Sequence, residues 1–520
     1  MTLLREKALF IPPINLHVWA TGLKKMDFLS KSDPVCALYT KNKYVDESDP
    51  KHWTRFAQTE IIWNDLDPVW QTYFTVVCAP QDENDPVEIK LAIYDVDKDS
   101  SYIHEEKIIG EALFSLKELN LSTDVTTKEI FKPGKPKPRG SIHVCVDKPG
   151  MSSETVEIQL KIKKLSAKKP FYIISKLSRN NKFINVYRSK FGSDKCTWGT
   201  TIIGINALCD SNPDHKLKFT FFNAKSDTTF EQIGFFCTSL NELIASKSKF
   251  KDIQNEKEKK VGSIQIFDVV KRNIPDIYQQ FSQETMILNL VSAVDFTGSN
   301  KPQKNPESLH KVDSSNPKKN SYQQCLENFV CLFRHTQYKQ QYPAVGFGAI
   351  YQNKVSHCFP LSLKTDSIFF KNETDFMNGY IYAALHLDYT GPSYFSGTIK
   401  YGIKFAQDNF AKNKAYTVLL MIVDGNMEDI IQTTNEIVRI ANENVPLSIF
   451  IIGVGPGDFS EMKKFENCEN LVSTENKTKA KRDVIHFCRF NELDGVDLPF
   501  YAAKMTTELN KQFLTWKTSS

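Results

Sequence analysis

Asp295, Thr297 and Ser299 stand at alternate positions in "VDFTGSN" (294–300), directly after the largely apolar run 286–291. A carboxylate and two hydroxyls present only oxygen, the ligand type preferred by Mg2+, Mn2+ and Ca2+. The end of a buried strand is where an α/β sheet places its ligands. The plainer reading is a helix N-cap, since Asp and Ser after a strand often cap the next helix. A second oxygen-rich set lies near the start of the chain. "MDFLSKSDPV" sets Asp27 and Asp33 six residues apart, and "YDVD" sets Asp95 and Asp97 at alternate positions. Four carboxylates from two loops at one end of a sheet suit Ca2+, which takes six to eight oxygens. Each loop read singly is also an ordinary Asp-rich turn.

These residues need elements to hold them. Up to about residue 270 the chain reads as short strands rich in Val, Ile, Thr and aromatics: "INLHVWATGL", "VCALYTKN", "EIKLAIYDV" and "GSIHVCV", then "VEIQLKIKKL", "FYIISKLS", "KLKFTFFN" and "GSIQIFDVV". Two similar series, the second echoing "GSIHVCVDK" with "GSIQIFDVV", predict two β-sandwiches in tandem, joined by the turn-rich "DKPGMSSET". From about 284, apolar strands at 286–294, 344–350, 416–423, 447–454 and 484–490 alternate with helical patterns such as "YQQCLENFVCLF" and "DIIQTTNEIVRIAN". That alternation predicts a doubly wound, mostly parallel sheet covered by helices. "LPFYAAKMTTELNKQFLTWKT" reads as a final amphipathic helix. The expected domains are 1–148, 152–271 and 284–512, too much chain for one core.

Composition narrows the function classes. A net charge of +5 over 520 residues argues against a nucleic-acid binder and permits a mildly basic membrane-facing patch. No apolar run approaches the roughly 18 residues of a membrane span. The N-terminus shows no signal-peptide pattern, Thr2 excludes myristoylation, and eleven cysteines without CxxC pairs predict reduced, cytosolic thiols and no zinc site. "GVGPGD" at 453–458 lacks the Lys-Ser/Thr of a phosphate-binding loop, and neither GxSxG nor HExxH occurs. A non-enzymatic protein is expected.

"SKSDP", "TEIIWNDLDPVWQTYFTV", "YDVD" and "IIGE" resemble, in order, the C2 domain, a Ca2+-dependent phospholipid-binding module. The resemblance implies that Asp27, Asp33, Asp95 and Asp97 line a Ca2+ site, and that Phe28, Leu29, Tyr102 and Ile103 at the same tips insert into the membrane interface. It also implies a fifth Asp where "EEKIIGE" carries Lys107, so one Ca2+ is expected more readily than two. In the second sandwich Lys169 precedes Pro170, and Asn223 and Lys225 take the places of the paired aspartates. No Ca2+ is expected there; lysines 161, 163, 164, 168 and 169 offer a basic strip to anionic lipid, or simply a solvated face.

"AVDFTGSN", "YPAVGFGA", "VSHCFPL", "GPSYFSGTI", "LLMIVDGNMED", "VPLSIFIIGVGPGDFSEMKKFE" and "RDVIHFCRF" resemble segments of the copine family, in that family's order. The third domain is then similar to a von Willebrand factor A domain. In such domains an Asp-x-Ser-x-Ser loop, a Thr and a later Asp hold Mg2+ or Mn2+. Carried over, the ligands are Asp295, Thr297, Ser299, Ser393 and Asp424, with a hydroxyl kept at each exchanged position. The resemblance implies a cytosolic adaptor. Rising Ca2+ takes its first domain to anionic, phosphatidylserine-like membrane at the inner plasma membrane or on vesicles, and its A domain recruits protein partners. A calcium-independent membrane scaffold is the alternative.

Overall fold

The computed structural model describes residues 10–26, 30–41, 49, 52–78, 87–96, 103–104, 107–165, 167–192, 198–226, 228–312, 319–333, 341–364, 367–465, 468–490 and 498–519. The chain forms two compact units, one of residues 3–279 with 495–507 and one of residues 280–494 with 508–520.

The first unit contains two eight-stranded antiparallel sheets, each curled on itself. Counted from its own first strand, each has the order 3-2-5-6-7-8-1-4. The expected repeat is therefore real in three dimensions: "GSIHVCV" lies in Pro138–Asp147 and "GSIQIFD" in Lys260–Arg272, and each closing strand pairs antiparallel with the first strand of its sheet. Strand periodicity explains the folding. In Ile14–Thr21, Leu16, Val18 and Ala20 point to the core at alternate positions. Tyr172, Phe219, Phe221 and Phe236 fill the second core, each such side chain contributing about 2 kcal/mol by burial.

A polar seam joins the sandwiches within this unit. Lys176, only 2% exposed, pairs with Asp147 of the first sandwich at 3.0 Å and with Asp210 of the second at 2.6 Å. Asn185 Nδ2 donates to the Gln71 carbonyl at 2.6 Å, and Lys182 Nζ sits 3.9 Å from the Trp19 ring centroid. His17 is buried beside this seam. Desolvation, with the Lys176 charge adding to it, pushes its imidazole from 6.5 down to about 3.

In the second unit, Leu288–Asp295 lies between Tyr342–Phe347 and Tyr416–Val423, and Leu447–Gly453 and Ile485–Arg489 follow outward, all parallel. Phe359–Pro360 and Phe369–Phe370 add short antiparallel edges. Every residue of Leu288–Asp295 and of Tyr416–Val423 is buried, which accounts for their near-continuous apolar sequences. Helices Ser321–Phe333, Glu373–His386, Ser396–Asn413 and Ile430–Asn442 accompany the sheet segments in sequence. The final helix, Leu498–Thr518, has the bounds read from its pattern and is divided between the two units. After Leu288–Asp295 the next strand lies on one side and the following parallel strand on the other. The carboxyl edge of Leu288–Asp295 is therefore the switch point of the sheet, where a crevice opens. The register Val294↔Ile422 brings Asp295 and Asp424 to that same edge. No described helix is long and apolar enough to cross a membrane.

Because the folded His17 value lies below its unfolded one, its neutral form contributes stability above about pH 6.5 that is lost as pH falls toward 3. At about pH 5 the linkage amounts to about 2 kcal/mol. Chemical denaturation across this range should show the first unit losing stability, with a slope smaller by about one proton in His17→Leu; an unchanged slope would contradict the buried neutral imidazole.

Candidate functional site

A cavity of about 500 Å3 opens at this sheet edge, lined by Thr297, Ser299, Thr390, Ser393, Asp424 and Glu428, among others. Asp295 is buried and lies behind the lining residues, next to Thr297. Its Oδ1 accepts from the Thr297 amide at 2.8 Å, Thr297 Oγ1 and Ser299 Oγ are 3.0 Å apart, and Ser299 Oγ donates to Asp424 Oδ1 at 3.0 Å. Four of the five expected residues thus form one hydrogen-bonded chain of oxygens. Ser393 reaches the cavity from the loop after Asp388–Tyr389. Its amide donates to Glu428 Oε1 at 3.0 Å, and its carbonyl accepts from the Glu428 amide at 2.9 Å. Asp429 fastens the same loop by accepting from the Phe395 and Ser396 amides, both at 2.9 Å.

The backbone is shaped to allow this approach. A Cβ on Gly457 would lie 1.8 Å from the Asp424 carbonyl, so only glycine lets segment 453–458 form this wall. The end of "GVGPGD", Gly457 and Asp458, thus forms one wall of the cavity. Beneath the site, His310 Nε2 donates to the Asp295 carbonyl at 2.8 Å. The His310 ring stacks on Phe296 and Tyr322, at centroid distances of 4.8 and 4.0 Å. Burial lowers the His310 imidazole to about 3, so it works here as a neutral donor.

Electrostatically the site is strained toward a cation. Burial first, and then the charge of Asp424, raises the Asp295 carboxyl above its ordinary range; burial also raises Asp424, against the Ser299 hydrogen bond. Two carboxylates and several hydroxyls, with no nitrogen or sulfur ligand, fit a hard divalent cation and suit zinc or copper poorly. Thr390, Glu428 and Asp458 also line the cavity and were not singled out from sequence. Thr390 directly precedes the quoted segment "GPSYFSGTI" and Asp458 closes "GVGPGD", but no local pattern says that these loops meet.

In the first sandwich the structure brings Asp33 and Asp95 together. Buried Asp95 accepts from the Asp33 amide at 2.6 Å, and Asp33 Oδ1 accepts from the Asn64 amide at 2.6 Å. Asp27, Asp97, Phe28, Leu29 and Tyr102 lie outside the described residues. Ile103 corrects an expectation. It is 6% exposed and packs with Val35, Ala37, Tyr94 and Ile108, so it serves the core and has no free face for a membrane. Alternation along a loop does not tell an inward apolar side chain from an outward one.

The second sandwich supplies a control within the chain. Pro34 pairs with Asp95 and Pro170 with Asn223, confirming that Asn223 occupies the Asp95 position. Asn223 Oδ1 accepts from the Lys168 and Lys169 amides at 3.0 and 3.1 Å, the same latch without the charge. Phe171, Phe222 and Phe230 pack next to it under Arg188, and Lys225 pairs with Glu231.

The architecture defines a class: tandem C2-type sandwiches followed by an A-domain-like α/β region. Residues 16–130 match the family model described as C2 domain, and residues 308–520 the one described as Copine. Copine-A of Dictyostelium discoideum is 27% identical over 529 residues, covering 97% of this chain and 84% of that protein. Protein BONZAI 1 of Arabidopsis thaliana is 26% identical, covering 97% and 90%. The chain is thus similar to copine-family proteins along nearly its whole length, and its residues 308–520 match the Copine model itself. Among solved structures, the calcium-bound pair of C2 domains from Extended-Synaptotagmin 2 matches over 51% of this chain and 97% of that one, at 16% identity and TM-score 0.20. Manganese-loaded TRAP protein of Plasmodium vivax matches over 41% and 73%, at 14% identity and TM-score 0.26.

The raised Asp295 and Asp424 carboxyls mean that their ionised forms cost stability as pH rises out of the acid range. Asp424→Asn should therefore raise the melting temperature in chelator at neutral pH, by the equivalent of about 1 kcal/mol. Lower stability in chelator would refute the repulsion.

Proposed function

We propose that this copine-like protein is a non-enzymatic adaptor that binds anionic, phosphatidylserine-like membrane through Ca2+ at its first C2 domain and recruits protein partners through Mg2+ or Mn2+ in the A-like domain. The domains are taken as 1–148, 152–271 and 284–512. The observation that carries this reading is the Asp295–Asp424 pair, two buried carboxylates held at one strand edge among hydroxyl oxygens. A dication offsets their repulsion and leaves a coordination position for a partner's Asp or Glu. Thr297, Ser299, Ser393 and Asp424 line the cavity from which that partner would approach, above Asp295.

In the first domain, Asp33 and Asp95, with Asp27 and Asp97, hold Ca2+. The bound ion turns the loop tips from negative to positive, and lipid phosphates and carboxylates complete its shell. Phe28, Leu29 and Tyr102 remain the proposed inserting side chains. The second sandwich holds no Ca2+ and keeps the pair rigid through the Lys176 seam. The protein is cytosolic and reaches the inner plasma membrane or vesicles when Ca2+ rises. Lys107 at the fifth ligand position favours a second reading, a scaffold attached to membrane by basic surface at any Ca2+ level.

Sedimentation with phosphatidylserine vesicles separates the two. The Asn223 latch shows that an asparagine oxygen holds the backbone at the Asp95 position, and Asp33→Asn keeps an amide oxygen for the Asn64 amide, so the double variant is expected to fold. The adaptor reading expects Ca2+-dependent pelleting of the unmodified chain and a roughly tenfold higher Ca2+ requirement in the double variant. Equal pelleting in chelator would establish the scaffold instead.

A further inference from the structure

The A-domain cavity carries more acid than its metal site uses. Its charged lining residues are Asp424, Glu428 and Asp458, with buried Asp295 hydrogen-bonded to the lining residue Thr297, and among the described residues no lysine, arginine or histidine lines it. A dication cancels Asp295 and Asp424. Glu428 and Asp458 remain, and neither has an ion-pair partner among the described residues.

Both are held in place by neutral donors. Glu428 Oε1 takes the Ser393 amide at 3.0 Å. Asp458 accepts from the Ser460 amide, the Ser460 hydroxyl and Asn426 Nδ2, each at 2.9 Å. Asn426 is fixed in turn, because its Oδ1 accepts from the Glu461 amide at 3.0 Å. These bonds orient the two carboxylates without neutralising them, and the Ser460 contacts keep Asp458 ionised by lowering its carboxyl. A partner that pushes a lone carboxylate toward the metal must bring it past two fixed negative charges. Charge complementarity favours a carboxylate that arrives with its own cations.

We propose that Glu428 and Asp458 form a cation-selecting rim, so that the segment docking on this site is an acidic side chain flanked by lysine or arginine. The inference rests on the proposed metal site and names the kind of partner that site takes. The metal accepts the carboxylate, and the rim pairs with the flanking ammonium or guanidinium groups. Specificity then comes from the rim as much as from the metal, since any exposed Asp or Glu satisfies the metal alone.

The test uses the full chain in Mg2+ and fluorescence anisotropy with short Gly/Ser peptides bearing one central Asp, flanked on both sides by Lys, by Ser or by Glu. Calorimetry with Mg2+ runs in parallel, on the unmodified chain and on Glu428→Gln with Asp458→Asn. The Lys-flanked peptide should bind roughly tenfold more tightly than the Ser-flanked one, the gain expected of two exposed ion pairs, and the Glu-flanked one most weakly. The double variant should keep its Mg2+ affinity and lose the preference. Mg2+ binding with no peptide preference, with no peptide binding at all, or with a preference that survives in the double variant would overturn the rim. A second Mg2+ equivalent lost in the double variant would overturn it too, by making the rim a metal site. An absence of Mg2+ binding would sink the metal site itself, a failure distinct from these.

Discussion

Two like charges held close in a buried strand edge are the constraint around which the A-like domain is organised. Asp295 and Asp424 reach the same edge because their strands are parallel neighbours in fixed register. Shifting either strand by one residue would turn its carboxylate toward the other face of the sheet. The surroundings supply partial relief: the Thr297 hydroxyl and the Thr297 and Asp424 amides at Asp295, the Ser299 hydroxyl and the residue's own amide at Asp424, and a neutral His310 on the backbone below. A buried carboxylate pair in this state is either protonated or metal-bound. The rest of the site, from Gly457 to the Ser393 loop, shapes the open cavity beside them.

The tandem sandwiches show the same chemistry kept and lost on one scaffold. Their strand orders coincide, and Asp95 and Asn223 perform the same backbone latch. The latch alone therefore does not require a carboxylate. What Asp95 adds is charge beside Asp33, whereas the second sandwich surrounds Asn223 with lysines and aromatic rings. Divergence here exchanges a cation-attracting loop end for a packed one and leaves the fold unchanged. The freed sandwich contributes instead to the seam around Lys176, where breaking a buried ion pair would cost about 3–5 kcal/mol.

Much of this was legible in the sequence because strands and helices leave periodic traces. The buried central strands read as unbroken apolar runs ending in Asp295 and Asp424, and Leu498–Thr518 was bounded correctly by its pattern. The proximity of Asp295, Thr297, Ser299, Ser393 and Asp424 followed from a family resemblance spread along the chain, which no single motif could have carried. What stayed hidden depends on which loops meet. Thr390, Glu428 and Asp458 join the cavity through tertiary approach, Lys176 is a strand lysine like many others until Asp147 closes over it, and Ile103 turns inward against a core that alternation cannot locate.

The most direct measurement is an anomalous difference map from crystals of the full chain grown with Mn2+. The account places one manganese peak within bonding distance of Asp424 and Ser299 oxygens, above the Asp295 carboxyl. A map with no peak there, while Asp295 and Asp424 keep their hydrogen bonds to Thr297 and Ser299, would contradict it.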